Sequence, residues 1–399
     1  MADVPMLFIL AGLAAYTVLA GADFGAGLWT LLTGRSSVRD HARHAMGPVW
    51  EANHVWLIFV LVVCWTAYPL AYGSITSTLA VPLFIAALGI ILRGASYALR
   101  GQLDDAPGRH AIENVFALSS ILTPFALGAV VGGIASGRVP VGNAAGDLVT
   151  SWLNPTSILT GALAVATGAH LAAVYLAADA RRSGERALTR HFRTRALVSG
   201  LCAGALALGG LLVIRANAPG LYTGLTHSPG AGMVALSTVV GLVTLILVWR
   251  NRFGWARVSA ALAVGAIVAG WALAQRPYVL PGLTIDQAAA DRATLVAVTV
   301  VVAVGAVVLV PSLILLFRLF LRGRLDPASR PGVVPEPPTA GHPGPSRALP
   351  VFAGATLLVG AALTVFADIG WLLALGVLCL AAAAIATFRL ATADADLDR

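Results

Sequence analysis

Lysine is absent from this 399-residue chain, and all 26 of its basic residues are arginine. Charge of either sign is scarce, at 11% of residues, and there are only three cysteines. Cys64, Cys202 and Cys379 each lie alone in a different apolar segment, which excludes a disulfide framework and a paired-cysteine metal site. They read as small core residues. With 58% hydrophobic residues and a mean hydropathy of +0.85, the chain is not an ordinary soluble globule, whose apolar share is about 45–50%. What is present instead is a series of apolar runs of roughly 20 residues, each able to cross a ~30 Å hydrocarbon layer and too long for barrel strands. The fold class expected is an all-α polytopic membrane protein.

The spans expected are 5–32, 48–70, 75–98, 114–136, 155–178, 196–216, 231–249, 257–275 and 293–321, followed by a hairpin at 351–367 and 370–389. The first is read as a retained span, because no basic residue precedes it and its apolar run exceeds that of a signal peptide. Twenty-two of the 26 arginines fall in the connections after the odd-numbered spans or in the C-terminal segments, leaving only Arg138, Arg215, Arg276 and Arg292 on the opposite side. By the positive-inside bias, the N-terminus faces outward and the C-terminus faces the cytoplasm. The +8 charge then reports topology, and no nucleic-acid partner is needed to explain it.

One compositional break interrupts this pattern. Residues 323–350 carry eight prolines and no long apolar run, as expected of an extended cytoplasmic linker. The expected domains are therefore a nine-helix core at 1–322, the linker at 323–350, and an added transmembrane hairpin with a short tail at 351–399.

Acidic residues inside apolar spans are costly and mark function or helix cross-linking. Asp23 lies within Gly-Ala-Asp-Phe-Gly-Ala-Gly-Leu-Trp, where Gly21, Gly25 and Gly27 permit a close helix contact. Glu51 opens Trp-Glu-Ala-Asn-His-Val-Trp, and on a helix from Pro48 it shares a stripe with His54 and Trp50. Asp23, Glu51, Asn53 and His54 therefore read either as a proton intake near the cytoplasmic side or as hydrogen-bonded cross-links between the first two helices. His170, alone on an apolar face, reads as a satisfied core group, with haem ligation beside His54 as the alternative. His41 and His44 read as solvated loop residues. Arg93 and Arg100 read first as snorkelling to the interface, and second as anchors for the carboxylates or for an anionic lipid. Trp29, Trp50, Trp56 and Trp65 read as interfacial or packing aromatics.

Several stretches together resemble subunit II of cytochrome bd quinol oxidases. They are Gly-Ala-Asp-Phe-Gly-Ala-Gly-Leu at 21–28, Gly-Pro-Val-Trp-Glu-Ala-Asn-His-Val-Trp-Leu-Ile at 47–58, Leu-Asn-Pro-Thr-Ser-Ile-Leu-Thr-Gly at 153–161, Arg-Pro-Tyr-Val-Leu-Pro at 276–281 and Val-Leu-Val-Pro-Ser-Leu at 308–313. They occur in family order over roughly residues 5–322. The resemblance implies nine helices, arranged as two four-helix bundles plus one. It implies a heterodimer in the prokaryotic cytoplasmic (inner) membrane whose haem-bearing subunit I holds haem b and haem d, so that this chain ligates no haem or other metal. Quinol is oxidised and dioxygen reduced to water, with protons drawn from the cytoplasm and a proton-motive force generated. By the same resemblance Asp23 and Glu51 match the family's two acidic positions, and Trp56 matches a tryptophan on the oxygen path from the bilayer. Glutamate at 51, followed by Ala52-Asn53-His54, resembles the branch called cyanide-insensitive. Whether the chain binds a quinone itself stays open. The extension beyond residue 322 departs from the family, and its hairpin could pack where a small accessory subunit docks in relatives. Competing readings are a proton-coupled transporter using Asp23 and Glu51, and a purely structural subunit with inert acids.

Overall fold

The computed structural model describes residues 1–33, 38–39, 41–42, 50–99, 106–227, 229–321 and 348–366, with isolated positions between 372 and 386. Its contacts divide the chain into two units, Met1–Pro311 and Ser312–Arg399. In the first unit the elements are α1 (Asp3–Leu31), α2 (Trp50–Ala67), α3 (Pro69–Thr78), α4 (Ala80–Leu99), α5 (Ala106–Ala135), α6 (Pro155–Arg182), α7 (Arg186–Asn217), α8 (Pro219–Thr226), α9 (Gly230–Trp249) and α10 (Phe253–Gln275). A two-stranded hairpin of β1 (Tyr278–Leu280) and β2 (Leu283–Thr284), a turn of helix α11 (Ile285–Ala288) and α12 (Arg292–Leu321) follow. The boundary between units falls inside α12. The second unit contains α13 (Ala348–Phe366), and most of the expected partner helix at 370–389 lies outside the described residues.

Eight helices of the described chain are long and apolar enough to cross a membrane: α1, α4, α5, α6, α7, α9, α10 and α12. The described apolar part of α2, Asn53–Ala67, is shorter. Large apolar side chains cover their outer faces, Phe84 being 70% and Leu212 70% exposed, as expected where the surrounding solvent is lipid.

Proline sets several helix starts. Pro69, Pro155 and Pro219 each stand at the first turn of a helix, where the missing N–H costs nothing. Asn154 caps α6 by accepting from the Ser157 N–H at 3.0 Å. The expected single span at 75–98 is divided: α3 begins at Pro69 and ends at Thr78, Leu79 leaves helical geometry, and α4 restarts at Ala80 with Pro82 in its first turn. The expected span from 196 begins ten residues earlier, at Arg186, because a polar arginine-rich stretch continues the helix beyond its apolar window. The hairpin is a small departure from an all-α chain, with Tyr278 opposite Thr284 and Gly282 at φ +75 in the turn. Ahead of α12, Asp291 accepts from the N–H groups of Ala293 and Thr294, and its bonds to Thr294, from the hydroxyl first and then the N–H, hold its carboxyl below the usual range.

The hairpin end is closed by an apolar cluster that includes Tyr68, Leu79, Val139, Leu280 and Leu283. The Ala290 N–H donates to the Ala67 carbonyl at 2.8 Å, and the Tyr68 hydroxyl donates to the Ala2 carbonyl. The opposite end carries most of the described arginines. Here His41, expected to be solvated, is instead partly buried: its Nε2 lies 3.2 Å from the Leu176 carbonyl and its ring 5.8 Å from Phe192. Cys202, expected in the core, is exposed on α7.

Helix α1 is the central element, packing on α2, α5, α6 and α10. Its closest approach is to α6. A Cβ on Gly25 would lie 2.0 Å from the Gly168 carbonyl oxygen, whereas one on Gly21 would meet nothing nearer than 3.6 Å. The obstruction at Gly25 is backbone and cannot move aside. Gly25→Ala is therefore expected to destabilise the fold by about 1–3 kcal/mol, while Gly21→Ala is neutral within about 1 kcal/mol. Thermal unfolding of the two variants side by side checks this; equal midpoints would contradict the contact.

Candidate functional site

The stripe of α4 that turns inward is Pro82, Ala86, Gly89, Arg93 and Ser96, spaced alternately by four and three residues. Arg93 is thus the one large charged residue on a face of small ones. Contrary to the snorkelling expectation, it is fully buried, with 0% of its side chain exposed, against 1% for Asp23. The reason lies on α1. Arg93 Nη2 donates to Asp23 Oδ1 at 2.7 Å and Nε donates to Oδ2 at 3.2 Å, a two-point clamp. Nη2 also donates to the Asp23 carbonyl at 3.0 Å, and Nη1 donates to the Ser120 hydroxyl on α5.

Aromatic rings complete the enclosure. The guanidinium carbon sits 4.2 Å from the Phe116 ring centroid, 5.1 Å from Phe24 and 5.8 Å from Tyr97. Gly27 makes room for this arrangement, since a Cβ there would fall 2.0 Å from Ser120 Oγ and 3.0 Å from Arg93 Nη1.

Helix α2 approaches from the other side of Phe24. The His54 ring lies 6.2 Å from Phe24 and 6.1 Å from Tyr16. Asn53 is buried and donates from Nδ2 to the Leu19 carbonyl at 3.4 Å, one turn before Asp23. Trp56 packs against the cluster of Tyr16, Ala20 and Phe24, with its ring edge-on to Phe59 at 6.5 Å. Asp23, Asn53, His54, Trp56 and Arg93 are therefore brought together around α1. Glu51 is placed by the α2 backbone one turn before His54, and its side chain lies outside the description, as do the side chain of Trp50 and the whole of His44 and Arg100.

Of the other tryptophans, Trp29 is buried and donates to the Ala169 carbonyl at 2.9 Å, and Trp65 is 63% exposed. His170 Nδ1 bonds the Ala196 carbonyl at 2.9 Å, tying α6 to α7. It lies on a different helix from His54. Among the described residues no group of three His, Cys, Asp or Glu side chains could hold a metal ion.

Three participants were not picked out from sequence. Ser120 and Phe116 sit on α5 facing Arg93. Tyr16 is buried, and its hydroxyl has no hydrogen-bond partner among the described residues. The signal for Arg93 was present in the small-residue spacing of α4; Tyr16 looks like any core aromatic until α2 is seen opposite.

A family profile described as cytochrome bd terminal oxidase subunit II matches residues 1–320. The chain belongs to this family. It is 26% identical over 321 residues to cytochrome bd-I ubiquinol oxidase subunit 2 of Escherichia coli K12, covering 69% of this chain and 80% of that protein. It is 22% identical over 270 residues to a putative cytochrome bd menaquinol oxidase subunit II of Bacillus subtilis 168, covering 66% and 77%. A chain in the structure of bd oxidase from Geobacillus thermodenitrificans superposes with a TM-score of 0.63 at 25% identity, covering 80% of this chain and 99% of that one. Family membership makes this a multi-pass membrane component of a respiratory quinol oxidase and sets aside the transporter reading.

Removing one member of a buried ion pair leaves the other uncompensated. Arg93→Gln is expected to destabilise bd subunit II by about 3–5 kcal/mol, and the double variant Arg93→Gln with Asp23→Asn by clearly less than the two single losses added. Denaturant titration of the four proteins in detergent reads the coupling, and strict additivity would contradict the pair.

Proposed function

We propose that this chain is the haem-free subunit II of a bd-type quinol:oxygen oxidoreductase, catalytic only when joined to a haem-bearing subunit I. What supports the reading is that the family match spans residues 1–320, which contain every member of the Asp23–Arg93 cluster, and stops before the extension. When bound in the partner, haems b and d supply the electron transfer from quinol to oxygen. Names of relatives include both ubiquinol and menaquinol, so the quinol is assigned here by class alone.

The residues of this chain position and conduct. Asp23, its carboxylate held by two hydrogen bonds from Arg93 and its carbonyl by a third, is too constrained to swing and supplies a fixed negative charge. Glu51 and His54, one turn apart on α2, carry the exchangeable proton, with Asn53 orienting that turn against α1. Trp56, half-buried beside Phe59, lines the route by which oxygen arrives from the lipid. The N-terminus faces outward and the arginine-rich end faces the cytoplasm, so the proton is drawn from inside and the complex contributes to the proton-motive force. Nine helices, including α2, cross the membrane as two four-helix bundles plus one. The linker 323–350 tethers a tenth and eleventh helix, which occupy the place of a small accessory subunit on membrane lipid.

Glu51→Gln is expected to lower quinol-driven oxygen uptake at least tenfold while the reduced-minus-oxidised haem spectrum of the purified complex is unchanged. Full turnover in a fully haem-loaded variant would remove Glu51 from the proton route. Deleting 323–399 is expected to lower the thermal stability of the complex without altering its haem content, and an unchanged melting temperature would remove the hairpin's docking role.

A further inference from the structure

The turn between α9 and α10 is tight. Asn251 stands at φ +56, and the N–H groups of Arg250, Asn251 and Arg252 donate back to the carbonyls of Ile246, Val248 and Leu247. Two arginines from other helices grip this turn by its backbone. Arg193 of α7 donates from Nη2 to the Trp249 carbonyl at 2.6 Å, and Arg181 of α6 donates from Nη1 to the Asn251 carbonyl. With Arg250 and Arg252 in the turn itself, four arginines from four segments of the chain converge on it.

Carbonyls at a helix C-terminus attract cations, which accounts for Arg181 and Arg193. It does not account for Arg250 and Arg252, whose side chains are exposed and bond to none of the described residues. Nor does a carboxylate neutralise the group: none of the four forms an ion pair among the described residues. Of the acids nearest in sequence, Asp179 is taken by Arg182 at 3.1 Å, and Glu185 stands at the N-cap of α7. A guanidinium carries five N–H donors, so Arg181 and Arg193 are held in place with donors to spare. What lies beside the turn is apolar. Trp249 and Trp255, 63% and 71% exposed, flank it on α9 and α10, and exposed Ile246 and Leu242 continue the first stripe as Val258 and Leu262 continue the second. Tryptophan marks the headgroup level of a bilayer, so the four arginines stand where lipid phosphates lie and the two stripes stand beside the acyl chains.

We propose that the α9–α10 turn, with Arg181, Arg193, Arg250 and Arg252, binds the phosphate of an anionic phospholipid whose acyl chains lie against α9 and α10 beside Trp249 and Trp255. The site uses no residue of the Asp23–Arg93 cluster. It goes beyond the oxidase reading and does not rest on it, nor on which side of the membrane is cytoplasmic.

The experiment is lipid quenching of a bimane fluorophore on Val258→Cys, in the full chain with Cys64, Cys202 and Cys379 replaced by alanine, purified with whatever it assembles with and reconstituted in phosphatidylcholine vesicles. Brominated phosphatidylglycerol is compared with brominated phosphatidylcholine, and the cysteine-free chain is the blank. Phosphatidylglycerol is expected to half-quench the label at a mole fraction lower by about threefold or more, a preference lost in Arg250→Gln with Arg252→Gln and kept in Arg186→Gln, at the same end but off the turn. Equal quenching by the two lipids would overturn the site, and that comparison needs no arginine variant. A preference that survives the double substitution, or that Arg186→Gln removes equally, would reduce it to general surface charge and overturn it too. Inorganic phosphate at fixed ionic strength is expected to leave the preference unchanged; its loss would assign the turn to free phosphate instead of lipid.

Discussion

A guanidinium with no exposed surface has to find its charge partner inside the protein, and in this fold that requirement is met at one place, Asp23. The consequence reaches three helices. Arg93 sits on α4, Asp23 on α1 and Ser120 on α5, so the pair sets the register of each against the others. Gly27 must lack a side chain to admit the guanidinium, and Phe24, Phe116 and Tyr97 must surround it to keep lipid and water away. The same α1 then meets α6 backbone to backbone at Gly25 and Gly168, so the charged centre and the tightest helix contact lie within one turn of each other.

The spans were legible because a membrane admits few solutions: a run of about 20 apolar residues with its backbone bonds satisfied internally is a helix. Their ends were less so, for particular reasons. Hydropathy cannot see a helix continued by arginines, which is how α7 begins at Arg186. Nor does it register Leu79, an apolar residue in non-helical geometry between α3 and α4. A hairpin of three and two residues is too short to have any periodicity.

The site divides in the same way. Asp23, Asn53 and His54 stood out from sequence because charge and amide are expensive in lipid. Arg93 was visible but misassigned, since a cation six residues from the end of α4 has the reach to snorkel and only the small-residue stripe indicates that it points inward. The packing of His41 against Leu176 and Phe192 could not be read at all, because both partners are more than a hundred residues away in the chain. The roles of Ser120 and Tyr16 and the Arg39–Glu113 pair likewise depend on which helices become neighbours.

The proposed function makes this chain the haem-free half of a haem enzyme. The most direct measurement is the reduced-minus-oxidised optical spectrum of the complex purified through a tag on this chain, with quinol-driven oxygen uptake measured on the same sample. The account predicts co-purifying haems b and d together with oxidase activity. A colourless, inactive chain that is stable without a partner would contradict it.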